Sequence, residues 1–252
     1  MKAIGIIPAR YASTRFPGKP LALINGKSLI QRTYENAKLI KELSAVVIAT
    51  DDERIFNHVK GFGAEVVMTS IDCPTGTDRI QEVLHKELQY SDVDFVVNIQ
   101  GDEPCLDPII IKKLLESLTN DQDAVAATPI CKIQNLEDTE NRSIVKCVKN
   151  QFNDALYFSR TLIPAGQKSY SPNTEYFKHI GIYAYRRKFL DIYASLPPTP
   201  LQLAEDLEQL KILEWGYKIK VAVVEASTAI EVNHPEDIKK VEHYLCKQNL
   251  SL

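Results

Sequence analysis

Residues 3–20 read Ala-Ile-Gly-Ile-Ile-Pro-Ala-Arg-Tyr-Ala-Ser-Thr-Arg-Phe-Pro-Gly-Lys-Pro. The first part, Ala3 to Ala9, is a short run with no charged residue, the pattern of a strand buried on both faces. Pro8 and Arg10 stop it, and the loop Ala9 to Pro20 that follows carries Arg10, Arg15 and Lys19. Further β-branched runs at Ala45 to Thr50, Glu65 to Met68, Phe95 to Ile99 and Ala124 to Pro129 repeat the strand signal. Helical stretches lie between them. Ile80, Val83, Leu84 and Leu88 recur at helical spacing, and Leu29 to Ile40 and Arg54 to Phe62 read as amphipathic surface helices. This βαβα order predicts an α/β fold, a mostly parallel sheet sandwiched by helices, with a ligand crevice outside the carboxyl ends of the strands.

The second half changes character. Antiparallel strands are expected around Ile144 to Val148 and His179 to Tyr185, with a proline-bearing loop from Pro164 to Pro172. These features suggest a smaller antiparallel, dimerisation-type insert at about residues 131 to 200 within a single domain spanning 1–252. The pattern then returns to a helix from Leu203 to Trp215, a strand from Lys218 to Val224 and a closing helix from Pro235 to Leu245, with Pro235 in its first turn.

Composition sets the class. The 252 residues carry 30 Lys and Arg against 33 Asp and Glu, a net charge of −3, with 44% hydrophobic residues. Those proportions exclude disorder, collagen and coiled coil as the main architecture. No stretch is long and apolar enough to span a membrane, and the N-terminal run is too short for a secretory signal. The five cysteines are widely spaced without a CxxC pair, which argues for a reducing cytoplasm rather than a disulfide framework or zinc site. The acidic balance and the lack of basic stripes with interleaved aromatics argue against nucleic acid as a partner.

The net charge hides a local asymmetry. Residues 1–34 contain Lys2, Arg10, Arg15, Lys19, Lys27 and Arg32, and no acid precedes Glu35. A cationic loop after the first strand, slimmed by Ala12, Ser13 and Gly18, suits an anion such as a phosphate. It is neither a Walker A loop nor GxGxxG, which weighs against kinase and dinucleotide readings. A second feature, Asn98-Ile99-Gln100-Gly101-Asp102-Glu103-Pro104, ends an apolar strand in glycine and an acid. Asp102 there suits Mg²⁺, although the same residues also make a plain turn. A third, Thr75-Gly76-Thr77-Asp78-Arg79, opens a helix at 80–90, with Asp78 and Gln81 at the spacing of a cap and its partner.

Taken together, these residues resemble a known family. Ile6-Ile7-Pro8-Ala9-Arg10-Tyr11-Ala12-Ser13-Thr14-Arg15-Phe16-Pro17-Gly18-Lys19-Pro20-Leu21 is similar to the signature of the 3-deoxy-manno-octulosonate (Kdo) cytidylyltransferases. Matching segments follow in order along essentially the whole chain: Ala49-Thr50-Asp51, Gly76-Thr77-Asp78-Arg79, the Asn98 to Pro104 turn, Ala155-Leu156-Tyr157-Phe158-Ser159-Arg160, His179-Ile180-Gly181-Ile182-Tyr183, Leu207-Glu208-Gln209-Leu210 and Pro235-Glu236-Asp237.

The resemblance implies a Rossmann-like nucleotidyltransferase fold, a cytoplasmic homodimer and Mg²⁺-dependent transfer of CMP from CTP to Kdo, releasing diphosphate, for lipopolysaccharide synthesis. By position, Arg10, Ser13, Arg15 and Lys19 would hold the triphosphate, and Thr77 and Arg79 would line the cytidine. Arg10, Lys19 and Asp102 would carry catalysis. Gln100, Arg160, His179, Tyr183, Glu208 and Gln209 would surround the acid sugar, with Arg160 on its carboxylate. Asp102 and the residue at 233 would hold the metal, but the family usually has Asp where this chain has Asn233. That change implies weaker metal binding. It also leaves open a nucleotide-binding regulator without catalysis, and the shared first motif leaves open neuraminate or another 2-keto acid sugar as acceptor.

Overall fold

The run that opens the chain is buried as its composition requires. In β1 (Ala3–Ala9), Ile4, Ile6 and Ile7 have no exposed surface, and each such side chain contributes roughly 1.5–3 kcal/mol by leaving water. The computed structural model describes residues 1–12, 16–73, 75–166, 171, 174–225 and 231–249. It divides into two compact units, residues 1–108 with 228–252 and residues 109–227.

In the first unit, β1 lies between β4 (Leu43–Thr50) and β6 (Phe95–Asn98), parallel to both, and β5 (Val66–Met68) extends the sheet beyond β4. A small hairpin of β2 (Leu23–Ile24) and β3 (Lys27–Ser28) leads into α1 (Leu29–Ala37). Helices α2 (Glu53–Gly61) and α3 (Gly76–Lys86) complete the βαβ alternation. Each helix has a side-chain cap: Ser28 accepts from the Gln31 amide, Asp52 from the Arg54 amide, and Thr75 from the Asp78 amide. Such caps are worth about 1 kcal/mol apiece.

The start of α3 differs from the expectation. Thr75, not Asp78, is the cap, because its extended backbone lets the hydroxyl reach the third amide while Asp78 bonds back to the Thr75 amide at 3.1 Å. The helix also ends earlier, at Lys86, so Leu88, expected on its buried face, is exposed.

The second unit is built on β7 (Ala124–Lys132), which follows α4 (Pro108–Asn120), a helix burying Ile110, Ile111, Leu114, Leu115 and Leu118. After α5 (Leu136–Glu140) come β8 (Lys146–Lys149), β9 (Ala155–Ser159), β10 (Phe177–His179) and β11 (Tyr183–Arg186). Strands β10 and β11 pair antiparallel with β7, and β8 and β9 continue antiparallel from β10. Helices α6 (Arg187–Ser195), α7 (Pro200–Glu205) and α8 (Gln209–Glu214) precede β12 (Lys218–Val224), which pairs parallel to β7.

Two elements expected to be continuous are divided. The strand expected from His179 to Tyr185 is split because the Thr128 hydroxyl lies within hydrogen-bond distance of both the Ile180 and Ile182 carbonyls. The helix expected from Leu203 to Trp215 breaks at Asp206, whose φ of 53° is left-handed. Arg160 takes the carbonyls of Glu205 and Asp206, removing them from the helical ladder.

The chain closes in the first unit with α9 (Asp237–Asn249). It starts later than Pro235 because the Asp237 carboxylate accepts the Asn233 and His234 amides, forming a capped turn. Val241 packs with Ile24, Leu29, Cys105 and Val232. Among the described residues no helix is long and apolar enough to cross a membrane.

Gly101 sets how closely the Asp102 turn approaches β1. A Cβ there would lie 3.0 Å from the Pro8 carbonyl oxygen, whereas one on Gly61 would meet nothing within 4 Å. Gly101→Ala is expected to cost about 1–3 kcal/mol and Gly61→Ala to be neutral or stabilising by up to about 1 kcal/mol. Denaturant unfolding of both variants checks the contrast, and equal stabilities would contradict it.

Candidate active site

The carboxyl ends of the first unit's parallel strands carry several of the expected residues. Arg10 follows β1, Asp51 follows β4, Thr69 follows β5, and Gln100 to Asp102 follow β6. The Lys19 ammonium donates to Asp102 Oδ2 at 2.6 Å and to the Val232 carbonyl at 3.0 Å, while the Val232 amide donates to the Asp102 carbonyl at 3.0 Å. Three distant segments thus meet on one lysine, whose side chain and that of Asp102 are only 16% and 19% exposed. The Asp102 turn is held from behind by α1: Thr33 donates to the Gly101 carbonyl at 3.1 Å and Asn36 to the Pro104 carbonyl at 2.9 Å. Neighbouring Glu103 is buried with one carboxyl oxygen lacking a hydrogen bond. Burial, reinforced by Asp102 and Glu231, pushes its pKa up to about 8, so it adds little negative charge at neutral pH.

Of the basic loop, Arg10 donates through Nη2 to the Cys73 carbonyl. Ser13 and Arg15 lie outside the described residues. Thr77 is buried in the first turn of α3. Arg79, expected beside cytidine, has no exposed surface and its guanidinium is already engaged by Asp51 at 2.6 Å and by Thr69. It joins the ends of β4 and β5 through its two terminal nitrogens, while its Nε is buried without a hydrogen-bond partner.

In the second unit His179 is half-buried beside Tyr183, and Tyr183 and Gln209 are each buried. His179 Nε2 is 2.9 Å from the Thr128 hydroxyl. That hydroxyl has one proton, directed at the Ile182 carbonyl 2.8 Å away, so it accepts from Nε2–H and leaves Nδ1 as an acceptor. Burial lowers the His179 pKa to about 3 and keeps the ring neutral. Phe158 and Tyr183 flank it, with ring centroids 5.1 and 5.4 Å away. The Tyr183 hydroxyl, near Thr128, makes no hydrogen bond of good geometry, and Gln209 Nε2 has none either. Orphaned polar atoms at such depth are costly unless a ligand pairs with them. Glu208 is exposed. Arg160 is about one-third exposed and clasped to Glu205, whose carboxylate accepts from Ser159 Oγ at 2.6 Å and from the Arg160 amide at 2.9 Å. Gln100 belongs to the first unit and the remaining expected sugar residues to the second.

A divalent cation has a restricted donor set here. Asp102 offers a partly buried carboxylate, with Oδ2 on Lys19, and Asn233 an amide oxygen, while the Asp237 carboxylate is consumed by two amides and Lys240. Among the described residues no cluster of three or more His, Cys, Asp or Glu could hold a metal alone. Hard oxygen donors needing completion by substrate phosphates fit Mg²⁺. Thr128, Glu205, Glu82 and Asp51 are the supporting groups that spacing alone did not assign. Asp51 sits inside a recognisable Ala-Thr-Asp segment, but Thr128 and Glu205 act through contacts that no local pattern announces.

A cytidylyltransferase family profile matches residues 4–219. The 3-deoxy-manno-octulosonate cytidylyltransferase of Protochlamydia amoebophila is 55% identical over 250 residues, 99% of this chain and 96% of that protein. That of Chlamydia trachomatis is 49% identical over 244 residues, 97% of this chain and 94% of that protein. A solved CMP:2-keto-3-deoxy-manno-octonic acid synthetase complexed with CTP superposes with a TM-score of 0.90 at 40% identity, covering 98% of this chain and all of that one. The chain belongs to the 3-deoxy-manno-octulosonate cytidylyltransferase family. Its fold is the Rossmann-like nucleotidyltransferase fold, a mixed, mainly parallel sheet flanked by helices.

The segment that receives Arg10 depends on Glu82. Its carboxylate accepts the Ser70 amide at 2.9 and 3.0 Å, the Cys73 thiol at 2.9 Å and Lys86 at 2.6 Å. Burial alone would raise this pKa, but those bonds prevail and hold it at about 2. A depressed carboxylate stabilises the fold above its unfolded pKa and loses that effect as pH falls from about 4.5 towards 2. Glu82→Gln should therefore be less stable than the parent at pH 7, with the gap closing on acidification. Thermal unfolding between pH 7 and 3 checks this, and a gap that does not change with pH would contradict it.

Proposed function

We infer that this protein transfers CMP from CTP to the anomeric hydroxyl of Kdo and releases diphosphate. The observation that carries the inference is the Lys19 ammonium held between Asp102 and Val232 at the carboxyl edge of the parallel sheet, beside a cationic loop. The relatives' names and the CTP in the solved neighbour support the same substrates.

The sugar hydroxyl attacks the α-phosphorus in line with departing diphosphate, so the protein must align two anions and offset charge on the leaving group. Lys19 and Arg10, with Ser13 and Arg15 of the same loop, hold the triphosphate. The amino end of α3, with Thr77, supports the cytidine side. Gln100 and Glu208 belong with the sugar by their place in the family pattern. The Nδ1 acceptor of neutral His179, the Tyr183 hydroxyl and the Gln209 amide supply the polar partners that a sugar's hydroxyls need. Arg160, about one-third exposed, pairs with the sugar carboxylate. Asp102 and Asn233 would hold Mg²⁺, which when bound neutralises phosphate charge and lowers the pKa of the attacking hydroxyl. Because Asn233 contributes a dipole where a carboxylate would contribute a charge, this site binds that ion more weakly. No serine, cysteine or histidine nucleophile is needed.

A cytoplasmic homodimer completes this reading, and exposed Phe152 and Leu156 in the second unit give a second copy an apolar surface to cover.

Diphosphate release from CTP and Mg²⁺ should be fastest with Kdo among a panel of 2-keto acid sugars. Lys19→Ala and Asp102→Ala should each slow it about 10²–10³-fold. Near-parental turnover in both variants, or preference for neuraminate, would contradict the assignment. Arg160→Ala should weaken sugar binding more than CTP binding by calorimetry, and equal losses would remove its role.

A further inference from the structure

Tyr11, inside the basic loop, lies against a cation from another element. The Arg54 guanidinium carbon is 3.3 Å from the Tyr11 ring centroid. A further cation on a loop whose sequence already carries Arg10, Arg15 and Lys19 would ordinarily add repulsion. Here its charge is already matched: Arg54 Nε donates to Asp52 Oδ1 at 2.9 Å and Nη2 to Oδ2 at 2.6 Å, a forked pair that fixes the plane of the group. The same Asp52 caps α2 by accepting the Arg54 amide at 2.9 Å, so the pair is anchored to a helix end that follows β4. With its edge on Asp52, the guanidinium presents a flat face to the ring.

The opposite end of the loop closes on the same tyrosine. The Gly18 amide donates to the Tyr11 carbonyl at 3.1 Å, and a Cβ on Gly18 would sit 3.1–3.3 Å from the Tyr11 ring and hydroxyl. Gly18 also has a φ of 70°, which an L side chain rarely adopts, so glycine is needed for both reasons. Residues 11 and 18 are therefore pinned together, Arg54 lies over the ring, and Lys19 leaves the closure already aimed at Asp102.

We propose that Arg54 is a positioning residue for the triphosphate: with Asp52 it holds Tyr11, and through the Tyr11–Gly18 closure it keeps Lys19 aligned with Asp102. This rests on the nucleotide reading of that loop. Arg54 does not touch the reacting atoms. Its loss lets the loop sample other conformations and reduces the fraction competent to bind CTP.

The test is calorimetric CTP binding, with KM and kcat for both substrates, on the full-length protein. Arg54→Ala should weaken CTP binding about fivefold, with the loss falling on KM for CTP while KM for Kdo stays within about twofold. Arg54→Lys should recover little, because an ammonium can neither fork onto Asp52 nor stack. Tyr11→Phe should bind CTP more tightly than Tyr11→Leu, because it keeps the ring that Arg54 covers. Tyr11→Leu should resemble Arg54→Ala, and the double variant should be no worse than either single one. Parental CTP binding with unchanged affinity in Arg54→Ala would overturn the proposal, as would a fall in Tm without any change in CTP affinity. No CTP binding by the unaltered protein would instead overturn the nucleotide reading on which the proposal rests.

Discussion

The first unit depends on one partly buried ion pair, the Lys19 ammonium against the Asp102 carboxylate. A lysine placed among other cations, with no acid earlier in the chain, needs a local counter-charge, and Asp102 supplies it at 2.6 Å. The second contact, from Lys19 to the Val232 carbonyl, draws in the segment that carries Asn233. A pair of this kind is weak evidence for stability, since desolvation offsets much of the attraction. In the proposed reaction its value is geometric: it would align a donor for phosphate oxygens with an acceptor for a cation before either arrives. That preorganisation is the main contribution a phosphoryl-transferring protein makes.

Other charges of the chain have framework tasks. Arg79 holds the ends of β4 and β5, Arg160 breaks the helix between α7 and α8, and Arg54 matches Asp52 while covering Tyr11. Arg79 and Arg160 reach oxygens from segments distant in sequence, whereas both donors of Arg54 meet the neighbouring Asp52 carboxylate. The second unit uses neutral polar groups in the same spirit. Thr128 fixes the tautomer of His179, and burial keeps that ring uncharged, so an acceptor is presented without charge.

The parallel core was legible because its strands are apolar throughout, as at Ala3–Ala9 and Phe95–Asn98, and the strand Lys218–Val224 matches the structure at both ends. What periodicity could not supply was the effect of single side chains on the backbone. Thr128 divides the His179 to Tyr185 region, and Arg160 divides the Leu203 to Trp215 region, both through contacts across long sequence separations. Helix α4 was not anticipated, although its apolar residues return every three or four positions. The placement of Arg10 after β1 and of Asp102 after β6 could be read from charge and strand position. The burial of Arg79 could not, because a basic residue at a helix start looks the same whether it faces solvent or a buried aspartate.

The central claim is that Lys19 and Asp102 grip one polyphosphate, and a crystal structure of the protein with CTP and Mg²⁺ tests it most directly. The account predicts β- and γ-phosphate oxygens within hydrogen-bond distance of Lys19 and Arg10, with the cation on Asp102. A triphosphate bound out of reach of both Lys19 and Asp102 would contradict it.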